Sequence, residues 1–147
     1  MEEKESEDKL MSTKSTGEDA RVPSKKRGFA RLLAATKYSA EGLRACYKSE
    51  EAFRIEIFLS IFLVPLALFL GETAIESAIL LLSVALVLIV ELLNSAVEAT
   101  IDRVGPGYHD LAKKAKDIAS GAVFISLITF LLVWAVLLLD RFWAANV

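Results

Sequence analysis

The chain has 147 residues, enough for one domain, and 54% of them are hydrophobic, which is high for a soluble globular protein. Its formal net charge of −2 averages an acidic N-terminal stretch against basic segments, and no basic patch interleaved with aromatic residues points to a nucleic-acid partner. The single Cys46 excludes an intrachain disulfide and a cysteine-based zinc cluster, and the single His109 excludes a multi-histidine metal site.

Residues 1–24 are rich in Glu, Lys, Ser and Thr and poor in large apolar side chains. They bury too little surface to offset their ordering entropy, so a disordered polar tail is expected, with the folded domain over 25–147. No apolar stretch follows the N-terminus in the manner of a signal peptide. A helix is expected over about residues 25–48, where Phe29, Leu32, Leu33, Thr36, Ala40, Leu43 and Tyr47 form one stripe. Lys26, Arg27, Arg31, Lys37, Arg44 and Lys48 lie mostly off that stripe. A basic amphipathic helix of this kind lies in a membrane interface. The alternative, a helix packed on a soluble core, lacks a core elsewhere in the chain.

Three apolar segments follow, over 52–70, 75–99 and 118–139. They predict transmembrane helices at about 51–70, 75–103 and 113–140. The third run has no charge over 22 residues, and at about 1.5 Å per residue it crosses a hydrocarbon core of about 30 Å. Membrane-spanning backbone must satisfy its own hydrogen bonds, and no period-2 alternation suggests a barrel, so the class is all-α. Basic residues crowd before the first span and return as Arg103, Lys113, Lys114 and Lys116, whereas the connection 71–74 has none. The positive-inside rule puts the N-terminus and the second loop in the cytoplasm and the C-terminus outside.

The second span ends in a polar stripe. At 100° per residue, Glu91, Asn94, Glu98 and Asp102 fall within an arc of roughly 80°. Ionisable groups within a membrane cost about 2.5–3.5 kcal/mol each even on the lenient insertion scale. A helix end emerging into water accounts for Asp102 and in part for Glu98, but not for Glu91, which has several residues of span still to cross. The third span opens with Lys113, Lys116, Asp117 and Ser120 on one face. The first opens with Glu50 at the boundary and Glu56 about one and a half turns deeper, some 120° away on a helical wheel, and so facing different neighbours.

With the predicted topology, all these groups gather at the cytoplasmic boundary. Carboxylates with one amide suit a hard cation such as Mg²⁺, which prefers oxygen ligands and brings phosphate oxygens with it. Lys116, Arg31 and Arg44 are the cations suited to neutralising phosphate charge. An acidic site beside a basic interfacial helix fits phosphoryl transfer to a lipid headgroup.

The segments GLRACYKSEEAFRIE, VELLNSAVEATIDR and YHDLAKKAKDIASGAV together resemble the prokaryotic diacylglycerol kinase family, from about Gly28 to the end of the third span. The resemblance implies a homotrimer, each subunit having an amphipathic surface helix and three transmembrane helices, with active sites shared between subunits in a bacterial inner membrane. It implies transfer of the ATP γ-phosphate to diacylglycerol with Mg²⁺. By position it makes Glu91 the general base, and Glu50 and Glu98 the holders of Mg²⁺ with the ATP phosphates. Arg31, Tyr38, Tyr108, His109, Lys116 and Asp117 would contact nucleotide. Arg31, Ser39, Arg44, Glu56, Glu91, Asn94 and Ser120 would line the lipid site. Undecaprenol phosphorylation, the family's other branch, is the near alternative, and Glu56 leans the reading towards diacylglycerol. A small ion-translocating subunit would spread its acidic groups through the membrane depth, whereas here they collect on one side.

Overall fold

The computed structural model of the protein describes residues 28–103, 109–144 and 146. The expected tail and Tyr108 lie outside the described residues. By compactness the chain divides into Met1–Lys37 and Tyr38–Val147. The first unit carries the opening of helix α1 (Phe29–Ser49), and the second carries the rest of α1 with α2 (Glu51–Leu70), α3 (Ala74–Asp102) and α4 (Asp110–Ala144). The described elements are all helices, as expected for the class.

Helices α2, α3 and α4 are each long and apolar enough to cross a membrane. At 1.5 Å per residue, the 35 residues of α4 extend about 52 Å, well beyond a hydrocarbon core of about 30 Å. The helix therefore runs further at both ends than its apolar run of 118–139, because its charged flanks remain helical. Pro65 sits inside α2 without ending it. Spanning helices tolerate proline where neighbouring groups satisfy the freed carbonyl.

The turns explain the antiparallel path. Arg54 donates from Nη1 to the carbonyls of Tyr47 and Lys48, both at 3.2 Å. It thus satisfies two of the orphan acceptors at the end of α1. At the other end of α2, a Cβ on Gly71 would meet the Ser77 backbone nitrogen at 2.7 Å, so the close approach of the next helix requires glycine. Thr73 caps α3 by accepting from the Glu76 amide at 3.2 Å, and the Glu76 carboxylate accepts from the Glu72 amide at 3.0 Å. Thr73 thus acts as the N-cap, and Glu76 reaches back past it to the amide of the preceding residue.

Helix α3 packs against both α2 and α4. The buried seam is Ala67, Leu80, Val84 and Trp134, flanked by Leu63, Leu70, Phe130 and Leu137. Trp134 donates its indole N–H to the Ser83 hydroxyl at 3.2 Å, and that hydroxyl donates to the Leu80 carbonyl at 2.7 Å. Near the C-terminus of α4, Arg141 pairs with Glu72 at 2.7 Å and with Glu76 at 2.8 Å. These contacts tie the end of α4 to the α2–α3 turn. The other apolar faces of the three helices are largely exposed, including Phe58, Phe62, Phe69, Leu131 and Leu132, the surface expected to meet lipid or further helices.

Candidate functional site

The bend between α1 and α2 builds one wall of the site. Glu50 occupies the N-cap position of α2 in an extended conformation (φ −101°, ψ 120°), and its side chain makes no capping bond. Its carboxylate is therefore not used by the helix. Because Glu50 lies outside the helix, the wheel angle between it and Glu56 does not apply. Both in fact lie within electrostatic reach of Glu91. Their immediate surroundings nevertheless differ: Glu50 lines a groove with residues of α1 and α3, whereas Glu56 lines an apolar cavity between α2, α3 and α4.

The last three turns of α3 build the facing wall. Between the walls is a groove of about 470 Å³, lined by Cys46, Glu50, Ser95, Glu98 and Asp102 among others. Asn94 donates from Nδ2 to Glu98 Oε1 at 3.3 Å, which confirms that these residues share a helical face. The Asn94 side-chain oxygen is buried without a partner. Glu91, one turn further into the apolar part of α3, is only 4% exposed. It does not line the groove, but Glu50 and Glu98 both repel it.

Deeper still, Glu56 opens onto an apolar cavity of about 60 Å³ between α2, α3 and α4. Its Oε2 is buried without a hydrogen-bond partner. A buried acceptor without a partner is expensive, so this carboxyl is placed at a cost to stability.

Helix α4 reaches this end through Lys116, whose ammonium pairs with Asp102 at 2.6 Å. Asp117 pairs instead with Lys113 on its own helix, also at 2.6 Å, with both side chains exposed. His109 accepts through Nδ1 from the Leu111 amide at 3.2 Å and so caps α4. Arg31, in the first unit, is exposed, as are Tyr38, Ser39 and Arg44 on α1 and Ser120 on α4.

Glu50, Glu56, Glu91, Asn94, Glu98 and Lys116 are thus brought to one end of the bundle. Asp117, Ser120, Tyr38, Ser39 and Arg44 do not line the groove. Two groove residues escaped the sequence reading. The Cys46 thiol and the Ser95 hydroxyl lie 3.2 Å apart, and Ser95 also donates to the Glu91 carbonyl at 3.0 Å. Ser95 sits four residues after Glu91 on the polar stripe, a signal that was available. Nothing in the sequence marked Cys46.

Among the described residues, no three Asp, Glu, His or Cys side chains converge on a metal position. The groove carries three carboxylates, Glu50, Glu98 and Asp102, of which Asp102 is paired with Lys116; the other two fit Mg²⁺, which keeps waters and takes nucleotide oxygens rather than filling an all-protein cage.

A sequence model of the prokaryotic diacylglycerol kinase family matches residues 37–138. Similar proteins include a diacylglycerol kinase of Haemophilus influenzae, 50% identical over 107 residues, covering 73% of this chain and 91% of that protein. A diacylglycerol kinase of Escherichia coli is 45% identical over 115 residues, covering 78% and 94%. One of Pseudomonas aeruginosa is 45% identical over 112 residues, covering 76% and 91%. The α1–α2 bend, the polar end of α3 and the start of α4 all fall within the matched region, and the chain belongs to the prokaryotic diacylglycerol kinase family, as a membrane-spanning lipid kinase.

Proposed function

We propose that this protein transfers the γ-phosphate of ATP to the free hydroxyl of diacylglycerol, giving phosphatidic acid and ADP at the cytoplasmic face of a bacterial inner membrane. The observation that carries the reading is the buried Glu91 carboxylate, held in an apolar helix next to a groove that presents Glu50 and Glu98. The lipid hydroxyl oxygen attacks the γ-phosphorus in line, and its proton passes to Glu91. The bond from the γ-phosphorus to the bridging oxygen breaks, and its electron pair leaves with ADP.

Glu50 and Glu98 are the residues that would hold Mg²⁺, which would supply positive charge against the phosphates. Lys116 faces the same phosphates, and Asp117, His109 and Tyr108 hold the rest of the nucleotide. Asn94 orients Glu98, and Glu56 accepts from the lipid headgroup. Ser120, Arg44, Ser39, Tyr38 and Arg31 complete the sites from exposed positions. A homotrimer with sites shared between copies accounts for that exposure, since residues remote from one groove can serve a neighbour's.

The test is phosphotransfer from ATP with Mg²⁺ in mixed micelles, comparing diacylglycerol with undecaprenol. Phosphatidic acid as the dominant product is expected. Preferential phosphorylation of undecaprenol overturns the substrate assignment, and absence of transfer to either lipid overturns the reaction.

A further inference from the structure

The ion pair between Lys116 and Asp102 joins α4 to α3 across 14 residues of sequence at 2.6 Å. It differs from the nearby Lys113–Asp117 pair, which is a same-helix i,i+4 contact. Asp102 lies one turn beyond Glu98 and lines the same groove as Glu50 and Glu98. The pair therefore fixes the Lys116 ammonium at the groove's mouth, and Glu98 attracts it as well. With side-chain exposures of 40% for Lys116 and 67% for Asp102, such a pair contributes little to folding. Its effect is on where the ammonium sits.

We propose that Asp102 is a positioning residue that holds the Lys116 ammonium ready for the nucleotide phosphates. The proposal rests on the reading that Lys116 contacts those phosphates. A lysine side chain has four flexible bonds and loses much rotamer freedom when it is fixed. Asp102 meets that ordering cost before nucleotide arrives. An ammonium carries three donors, so one bond to Asp102 leaves two for phosphate oxygens, and the pair need not break on binding. The Asp102 carboxylate itself touches no reacting atom.

The test uses the full-length protein in mixed micelles. Initial rates are measured against MgATP and against lipid, together with equilibrium binding of a non-hydrolysable MgATP analogue. Freeing one long side chain at a binding site corresponds to a loss of roughly 2- to 10-fold in affinity. Asp102→Asn should raise the KM for MgATP and weaken analogue binding by that factor, with kcat and the lipid KM close to the parent values. Asp102→Glu should restore most of the loss. The charge swap Asp102→Lys with Lys116→Asp re-forms an ion pair but moves the cation to α3, so it should leave nucleotide affinity low. Restoration by the swap overturns the proposal, since the pair would then merely close the hairpin. An unchanged or lowered KM in Asp102→Asn overturns it too, while a raised KM in Lys116→Met keeps the nucleotide contact standing. If Lys116→Met leaves both KM and analogue binding unchanged, the nucleotide contact fails and the positioning role fails with it.

Discussion

Replacing Glu91 by Gln is the sharpest perturbation of the proposed chemistry. The two side chains have nearly the same shape, so no cavity opens in the buried position, and what is lost is the proton acceptor. Glu91 is 4% exposed, so bulk water has little access to replace it as base. The other carboxylates nearby are differently placed. Glu98 is held by Asn94 and faces the groove, and Glu50 lies at the bend before α2. A positioned general base contributes about 10²–10⁴-fold, or roughly 2.7–5.4 kcal/mol of barrier. The expected result is a fall in kcat of that size with small changes in the KM for ATP and for lipid. Stability should hold or rise, because the substitution removes one of several mutually repelling carboxylates at Glu50, Glu56, Glu91 and Glu98. The assay is mixed-micelle phosphotransfer with both substrates varied, beside the unfolding midpoint in detergent. A kcat within about threefold of the parent would make Glu91 a packing residue, and the base would then be sought at Asp117.

Three further expectations can be checked directly. Glu98→Gln should raise the Mg²⁺ requirement on the order of tenfold or more and leave assembly intact; unchanged titrations of both metal and ATP remove Glu98 from the site. A reporter fused after Val147 should read as periplasmic and one inserted near Gly107 as cytoplasmic, and the reverse result would separate the site from cellular ATP. Trp134→Phe should lower stability by about 0.5–1.5 kcal/mol through loss of the hydrogen bond to Ser83 without changing kcat, whereas a kinetic defect at constant stability would show that the far end of the bundle takes part in turnover.

The spans were legible because lipid exposure removes charge from a run of residues, and such a run is visible at a glance. The expected 75–103 and 51–70 agree closely with Ala74–Asp102 and Glu51–Leu70. The expected 113–140 fell short of Asp110–Ala144, because hydropathy marks where a helix leaves lipid and not where it stops. The gathering of Glu50, Glu91, Glu98 and Lys116 at one end was also legible, since alternating spans must bring those ends together. Cross-helix pairs were not. Which side chain on α4 meets Asp102 depends on the rotation of two helices about their axes, and a connection between them does not encode that rotation. Lys116 stands out in sequence as a phosphate cation, but its pairing with Asp102 rather than with a residue of its own helix does not. The Cys46–Ser95 contact was hidden for the same reason.

Cohesion is unevenly distributed along the bundle. The buried seam of Ala67, Leu80, Val84 and Trp134, the Trp134–Ser83 hydrogen bond and the Arg141 ion pairs with Glu72 and Glu76 all lie toward the turn between α2 and α3. The opposite end holds the groove, several repelling carboxylates and an exposed ion pair. Local opening is cheapest where buried apolar contacts are fewest, so the helices spread most readily at the Glu50 end while remaining fastened at the other. Amide exchange would accordingly run fastest through the last turns of α3 and the first turns of α4.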